Sequence, residues 1–147
     1  MKVTMTMTNE TQIQKAGTGW NITLWVAQIA LAALYGMAAY MKLLMTPEAL
    51  IQMGLLWVEG APLALVRFIG FVELAGAIGL ILPAATRIKP ELTTLAAVGL
   101  LAIQALAIPF HAFRGEFAVL PFNLIYAALA VFIIWGRLRK APIAPRA

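Results

Sequence analysis

The stretch ITLWVAQIALAALYGMAAYMKLL, Ile22 to Leu44, is 23 residues long and carries a single charge, Lys42, close to its end. A bilayer core needs about 20 helical residues, whereas the apolar region of a cleaved signal peptide has about 7–15. The stretch therefore reads as an uncleaved transmembrane helix. Three more runs of the same kind follow, at about 63–82, 92–110 and 117–135. Between the first two lies Thr46-Pro47-Glu48, which offers a capping hydroxyl, a proline at the first helical position and an acid in the first turn. It opens the apolar stretch Ala49 to Val58 and predicts a short helix lying in the membrane interface, broken by Gly60-Ala61-Pro62. The expected fold is all-α, an integral membrane bundle of four helices over residues 20–138. Residues 1–19 are expected to form a flexible, Thr-rich cytoplasmic tail and residues 139–147 a basic one.

Composition excludes the soluble classes. Hydrophobic residues make up 63% of the chain and charged ones 12%, against about 45–50% and about 25% in soluble domains. A mean hydropathy of +0.89 is spread over several runs, so the chain is not a single anchor on a soluble body. The net charge of +5 comes from cations at the ends of apolar segments and not from a basic stripe, which argues against nucleic acid as a partner. The absence of cysteine excludes disulfides, thiolate metal sites and thiol redox chemistry on this chain.

The cations instead report orientation. Lys2, Lys15, Arg87, Lys89, Arg137, Arg139, Lys140 and Arg146 fall on one side, and Lys42, Arg67 and Arg114 on the other, eight against three. Positively charged loops stay cytoplasmic, so both termini are expected inside. Trp20, Trp25 and Trp135 then lie near the cytoplasmic interface and Trp57 near the outer one, as in an aromatic belt.

With that orientation, polar residues collect in the outer half. Lys42 ends the first span, Arg67 lies near the outer end of the second and Glu73 about 9 Å deeper at 1.5 Å per residue. Gln104 and His111 come from the third span and its end, and Asn123 from the start of the fourth. An ionisable group at mid-helix costs about 2.5–3.5 kcal/mol on insertion scales, so such groups face the bundle interior and find partners. The expected pairing is Glu73 with Arg67 or Lys42, with His111, Gln104 and Asn123 supplying hydrogen bonds. Two explanations stand side by side: a polar site closing an outward-opening apolar pocket, or a network that only locks helices together.

Other features have plainer readings. Gly70, Gly76 and Gly79 on the second span, with Ala32 and Gly36 on the first, suit close approach of these two helices, or a dimer interface. Met37, Met41 and Met45 form an i, i+4, i+8 stripe, which reads as packing or lipid-facing surface ahead of Cu(I) ligation. His111 is the sole histidine and has no Cys or Asp nearby, so no metal site is expected. It suits an interfacial hydrogen bond or a proton carrier.

The order of these residues resembles the DoxX-like family of small four-helix bacterial membrane proteins. Gly36 is followed by Lys42-Leu43 closing the first span, then Gly70-Phe71-Val72-Glu73-Leu74-Ala75-Gly76, then His111, Asn123 and Trp135-Gly136-Arg137. The resemblance runs from about Trp20 to Lys140, and Lys42, Glu73, His111 and Asn123 match the polar positions of the pattern; Arg67 and Gln104 rest on their placement alone. It implies a multi-pass protein of the bacterial inner membrane. Name-giving members are similar to a subunit of a membrane thiosulfate:quinone oxidoreductase. The expected role is thus a membrane subunit or accessory protein of a redox system, binding quinone or another lipophilic small molecule, with membrane lipid, a redox protein or a second copy as partners. No cofactor is required by the residues themselves. A small proton-coupled transporter and a purely structural membrane partner are the alternatives.

Overall fold

The computed structural model describes the backbone of residues 2–147 and the side chains of residues 17–147. The described residues form helices and turns without strands: α1 (Lys2–Leu44), α2 (Pro47–Gln52), α3 (Leu63–Thr86), α4 (Glu91–Phe113) and α5 (Leu120–Arg139), with single 3-10 turns at Leu56–Val58 and Phe117–Val119. Four segments are long and apolar enough to cross a bilayer: Gly17–Leu44, Leu63–Thr86, Glu91–Phe113 and Phe117–Arg139. Helices satisfy their own backbone groups, which hydrocarbon cannot do. Residues 2–19, assigned by sequence to a tail outside the apolar core, are helical in backbone and continuous with the first span; once a helix is nucleated, each added residue gains a bond at little cost.

The four long helices close a ring in which α1 packs on α3, α3 on α4, α4 on α5 and α5 back on α1. Buried positions on α3 are Val66, Gly70, Glu73, Ala77, Leu80 and Ala84, and on α4 Thr93, Ala97, Leu100 and Gln104. These alternate steps of four and three trace the narrow seam of a left-handed helical bundle. Leu31, Tyr35, Leu80, Leu100 and Ile133 fill its centre.

Glycines set the closest approaches, only partly between the two helices that sequence suggested. A Cβ on Gly76 would lie 2.4 Å from Leu100 and one on Gly79 2.8 Å from Ala96, both on α4. Of the α3 glycines Gly70 faces α1, where a Cβ would meet Lys42 and Leu43 at 3.0 Å, and Gly36 has nothing within 4 Å. Gly136 seats Leu24, whose nearest methyl is 2.3 Å from an added Cβ.

Helix ends also shift. The second span was expected to stop at Pro83, but α3 runs to Thr86, and Arg87 ends it in the left-handed region at φ 57°. Pro83 removes the N–H that would reach the Gly79 carbonyl, a loss membrane helices tolerate; one turn on, the Thr86 hydroxyl donates back to the Leu82 carbonyl at 2.8 Å. The short interfacial helix starts as expected, with the Thr46 hydroxyl accepting from the Ala49 amide at 3.3 Å. From it and the following turn, Leu50 and Val58 bury against Val66, with Met41 and Met45 packed alongside. This cap covers the Lys42 end of α1 and α3. Met37 is 61% exposed, so the three methionines do not converge.

Candidate functional site

Polar side chains inside the bundle gather at two levels. The first holds the ion pair: Lys42 Nζ donates to both Glu73 carboxylate oxygens, at 3.0 and 2.8 Å. The two side chains are 10% and 7% exposed. Of the two cations that sequence offered to Glu73, Lys42 is the partner. Arg67 Nη1 instead donates to the Lys42 backbone carbonyl, one of the last carbonyls of α1, where a cation also meets the negative end of the helix dipole.

Deeper in the bundle, Tyr35 Oη donates to the Leu100 carbonyl at 3.1 Å and accepts from Gln104 Nε2 at 2.7 Å. The Gln104 Oε1 is buried without a donor. The Tyr35 ring packs edge-on against Tyr126 at 5.0 Å between centroids, and Glu73 is within electrostatic reach of both tyrosines. Tyr35, Gln104 and Tyr126 thus form an interior group drawn from α1, α4 and α5, next to the Lys42–Glu73 pair of α1 and α3. Gln104 belongs to it, but through Tyr35 and not through Glu73.

His111 and Asn123 do not join that group. His111 Nδ1 shares a 2.5 Å hydrogen bond with Glu116 Oε2, and Arg114 Nε donates to Glu116 Oε1 at 2.7 Å. This cluster ties down the loop between α4 and α5. Burial pushes the Glu116 carboxyl up, but the hydrogen bonds from His111 and Arg114 and their charges outweigh it and hold the group below the usual carboxylate range. Asn123 is half-buried and its side chain makes no hydrogen bond among the described residues.

The second level was not anticipated. Arg137, read from sequence as part of a basic anchor, is 4% exposed, and Gln28 and Thr93 are fully buried. Arg137 Nε donates to Gln28 Oε1 at 2.6 Å, and Nη1 to Asn21 Oδ1 at 2.7 Å and the Ala141 carbonyl at 3.1 Å. Gln28 Nε2 in turn donates to the Leu80 carbonyl at 2.7 Å. One signal in the sequence could have shown this: Asn21, Gln28, Tyr35 and Lys42 recur every seven residues along α1, two helical turns apart and so on one face. All four make the contacts just described.

Among the described residues, clefts lie on the outside of the bundle. One of about 330 Å³ is lined by Ala32, Ala77, Ile78, Ile81 and Leu82. Another, about 310 Å³, lies between α3 and α4 and includes Val72, Gly76, Gly99 and Leu100. Both are apolar, and neither is lined by Lys42, Glu73 or Gln104. Among the described residues no three His, Cys, Asp or Glu side chains gather as metal ligands would.

Compared with known proteins, the chain matches the family model described as the DoxX-like family over residues 26–133. Neither curated proteins nor solved structures give a match.

Proposed function

Because the chain belongs to the DoxX-like family, we propose that it is a membrane subunit or accessory protein of a redox system in the bacterial inner membrane. In this reading it binds a quinone or a similar lipophilic molecule at the interior group around Lys42 and Glu73. The observation that carries the proposal is the ion pair itself, buried in a span where each charge is costly and where ionisable groups mark functional sites by default. Apolar packing around Leu31, Leu80 and Leu100, with glycine contacts, already closes the bundle. The unused valences fit such a headgroup. Lys42 has a third N–H beyond the two that reach Glu73, suited to a ring carbonyl, and Gln104 Oε1 lacks a donor, suited to a ring hydroxyl. The apolar cleft between α3 and α4, the helices that carry Glu73 and Gln104, suits an isoprenoid tail. A bound quinone would supply two-electron, two-proton chemistry, with its electrons exchanged with a partner redox protein.

A second reading has its own support. Both Glu73 oxygens are satisfied by Lys42, as they would be in a clamp that only holds α1 to α3. The two readings separate by experiment. Parent, Glu73→Gln and Gln104→Leu proteins are purified in mild detergent and their bound quinones and lipids identified by mass spectrometry. We expect a stoichiometric lipophilic ligand in the parent, lost from the folded fraction of both variants, with Gln104→Leu, which leaves the ion pair intact, accumulating as the parent does. An empty parent, or equal ligand in all three, would overturn the site reading. The eight-to-three cation bias supports termini in the cytoplasm; a reporter joined after Ala147 should be active only as a cytoplasmic one.

A further inference from the structure

At the opposite end of the bundle from Lys42, we infer that Arg137 and Thr93 hold an oxyanion of the phosphate class. A guanidinium has five N–H donors. Three of those on Arg137 are taken, by Gln28, Asn21 and the Ala141 carbonyl, all neutral oxygens. The guanidinium carbon lies 5.8 Å from the centre of the Trp25 ring, but the Nη2 nitrogen is buried and has no hydrogen-bond partner. No carboxylate contacts Arg137 among the described residues. A buried cation normally has a counter-charge, and a buried N–H a partner. Here both are missing at one atom.

Thr93 Oγ1 is a second orphan, also fully buried. The helix register places it at the same level. Tyr35 bonds the Leu100 carbonyl; two turns along α1 from Tyr35 is Gln28, the partner of Arg137, and two turns along α4 in the same direction is Thr93. α4 and α5 are neighbours in the ring, so hydroxyl and guanidinium face one interior level from adjacent helices. Arginine's planar fork suits phosphate oxygens, and a threonine hydroxyl adds a third donor.

The surroundings select an anion. Lys140 Nζ stands over the rings of Trp20 and Trp135, at 5.6 and 5.4 Å, as at a headgroup interface. The chain beyond α5 folds back so that the Arg146 amide donates to the Arg87 carbonyl at 2.9 Å, drawing more cations over this end. A phospholipid headgroup and a free phosphate share the required chemistry.

The test uses the full chain. Delipidated protein in mild detergent is titrated with inorganic phosphate against sodium chloride at matched ionic strength, and melting is followed. In parallel, protein taken from nanodiscs of phosphatidylglycerol and phosphatidylcholine is examined by native mass spectrometry for retained lipid. The parent should melt higher with phosphate but not with chloride, or keep one phosphatidylglycerol. Lipid retention without a phosphate response assigns a headgroup, and the reverse a free anion. Arg137→Gln should abolish the effect. Thr93→Val keeps shape and removes only an unpaired hydroxyl, so it should fold as the parent does and weaken binding about tenfold. Lys140→Gln should change it less than twofold. A parent that responds to neither probe, or a Thr93→Val protein that binds like the parent, would overturn the inference and leave water as the occupant.

Discussion

The Lys42 and Arg137 levels solve the same problem differently. At one, a buried ammonium meets a carboxylate that takes two of its hydrogens; at the other, a buried guanidinium meets two amide oxygens and a carbonyl. The first is charge-balanced within the chain and the second is not. Burial explains why the difference matters: a charge taken out of water is expensive, and a partner of opposite sign is the largest available compensation. The balanced pair can persist as it stands, whereas the unbalanced cation calls for something from outside the chain.

This comparison breaks first at Glu73. Glu73→Gln leaves the Lys42 ammonium buried without its counter-ion and should cost about 3–5 kcal/mol of stability, the usual penalty for removing one member of a buried pair. Thermal or denaturant unfolding in detergent measures it. The double change Lys42→Met with Glu73→Leu should recover most of that loss, because apolar replacements of a buried pair are close to neutral. If the double variant is as stable as the parent yet has lost its bound ligand, the pair serves a site and not a clamp.

At the other level Arg137→Gln should cost less, about 1–3 kcal/mol, since it strands neutral acceptors on Gln28 and Asn21 and no opposite charge. A loss as large as that of Glu73→Gln would mean that the guanidinium does have a charged partner. The glycines beside the two levels sharpen the contrast in packing. Gly136→Ala drives a methyl into Leu24, with its nearest atom at 2.3 Å, and should cost about 1–3 kcal/mol. Gly70→Ala meets contacts at 3.0 Å and should cost less, while Gly36→Ala, with open space around it, should be neutral or gain up to about 1 kcal/mol.

The smallest effect concerns a pair outside the spans. The Glu116 carboxyl is held below its usual range in the folded protein, so its contribution is present above the unfolded value of about 4.3 and lost as pH falls through the lower folded value. Being interfacial, it should be worth less than about 1 kcal/mol. Stability measured from pH 6 down to pH 3, a range of about three units around the carboxylate value, should fall more steeply for the parent than for Glu116→Gln. Equal slopes would show that the His111 and Arg114 contacts do not form in the membrane protein.

Much of the candidate site was legible and its wiring was not. Lys42 and Glu73 could be named because ionisable residues in apolar runs stand out, and Gln104 for the same reason. Tyr35 passed unnoticed since a tyrosine in a span is ordinary, and Arg137 because a cation at a helix end is ordinary too. His111 was drawn towards Glu73 by its level, but Glu116, five residues along its own chain, is nearer.

The sequence by itself determined that the chain spans a membrane four times, where the spans lie, and where the capped helix opens at Thr46. Those features depend on apolar length, proline and a capping hydroxyl, all local properties. Only the tertiary structure decided which face of each helix turns inward. In water the apolar face of a helix identifies itself. In a bilayer the lipid is as apolar as the core, so Phe71 and Leu106, 63% and 75% exposed, look no different in sequence from buried Leu80 and Leu100. Rotation and register of the helices, and with them the choice of Lys42 over Arg67 and the burial of Arg137, are fixed by how glycines and seam residues interlock across the bundle.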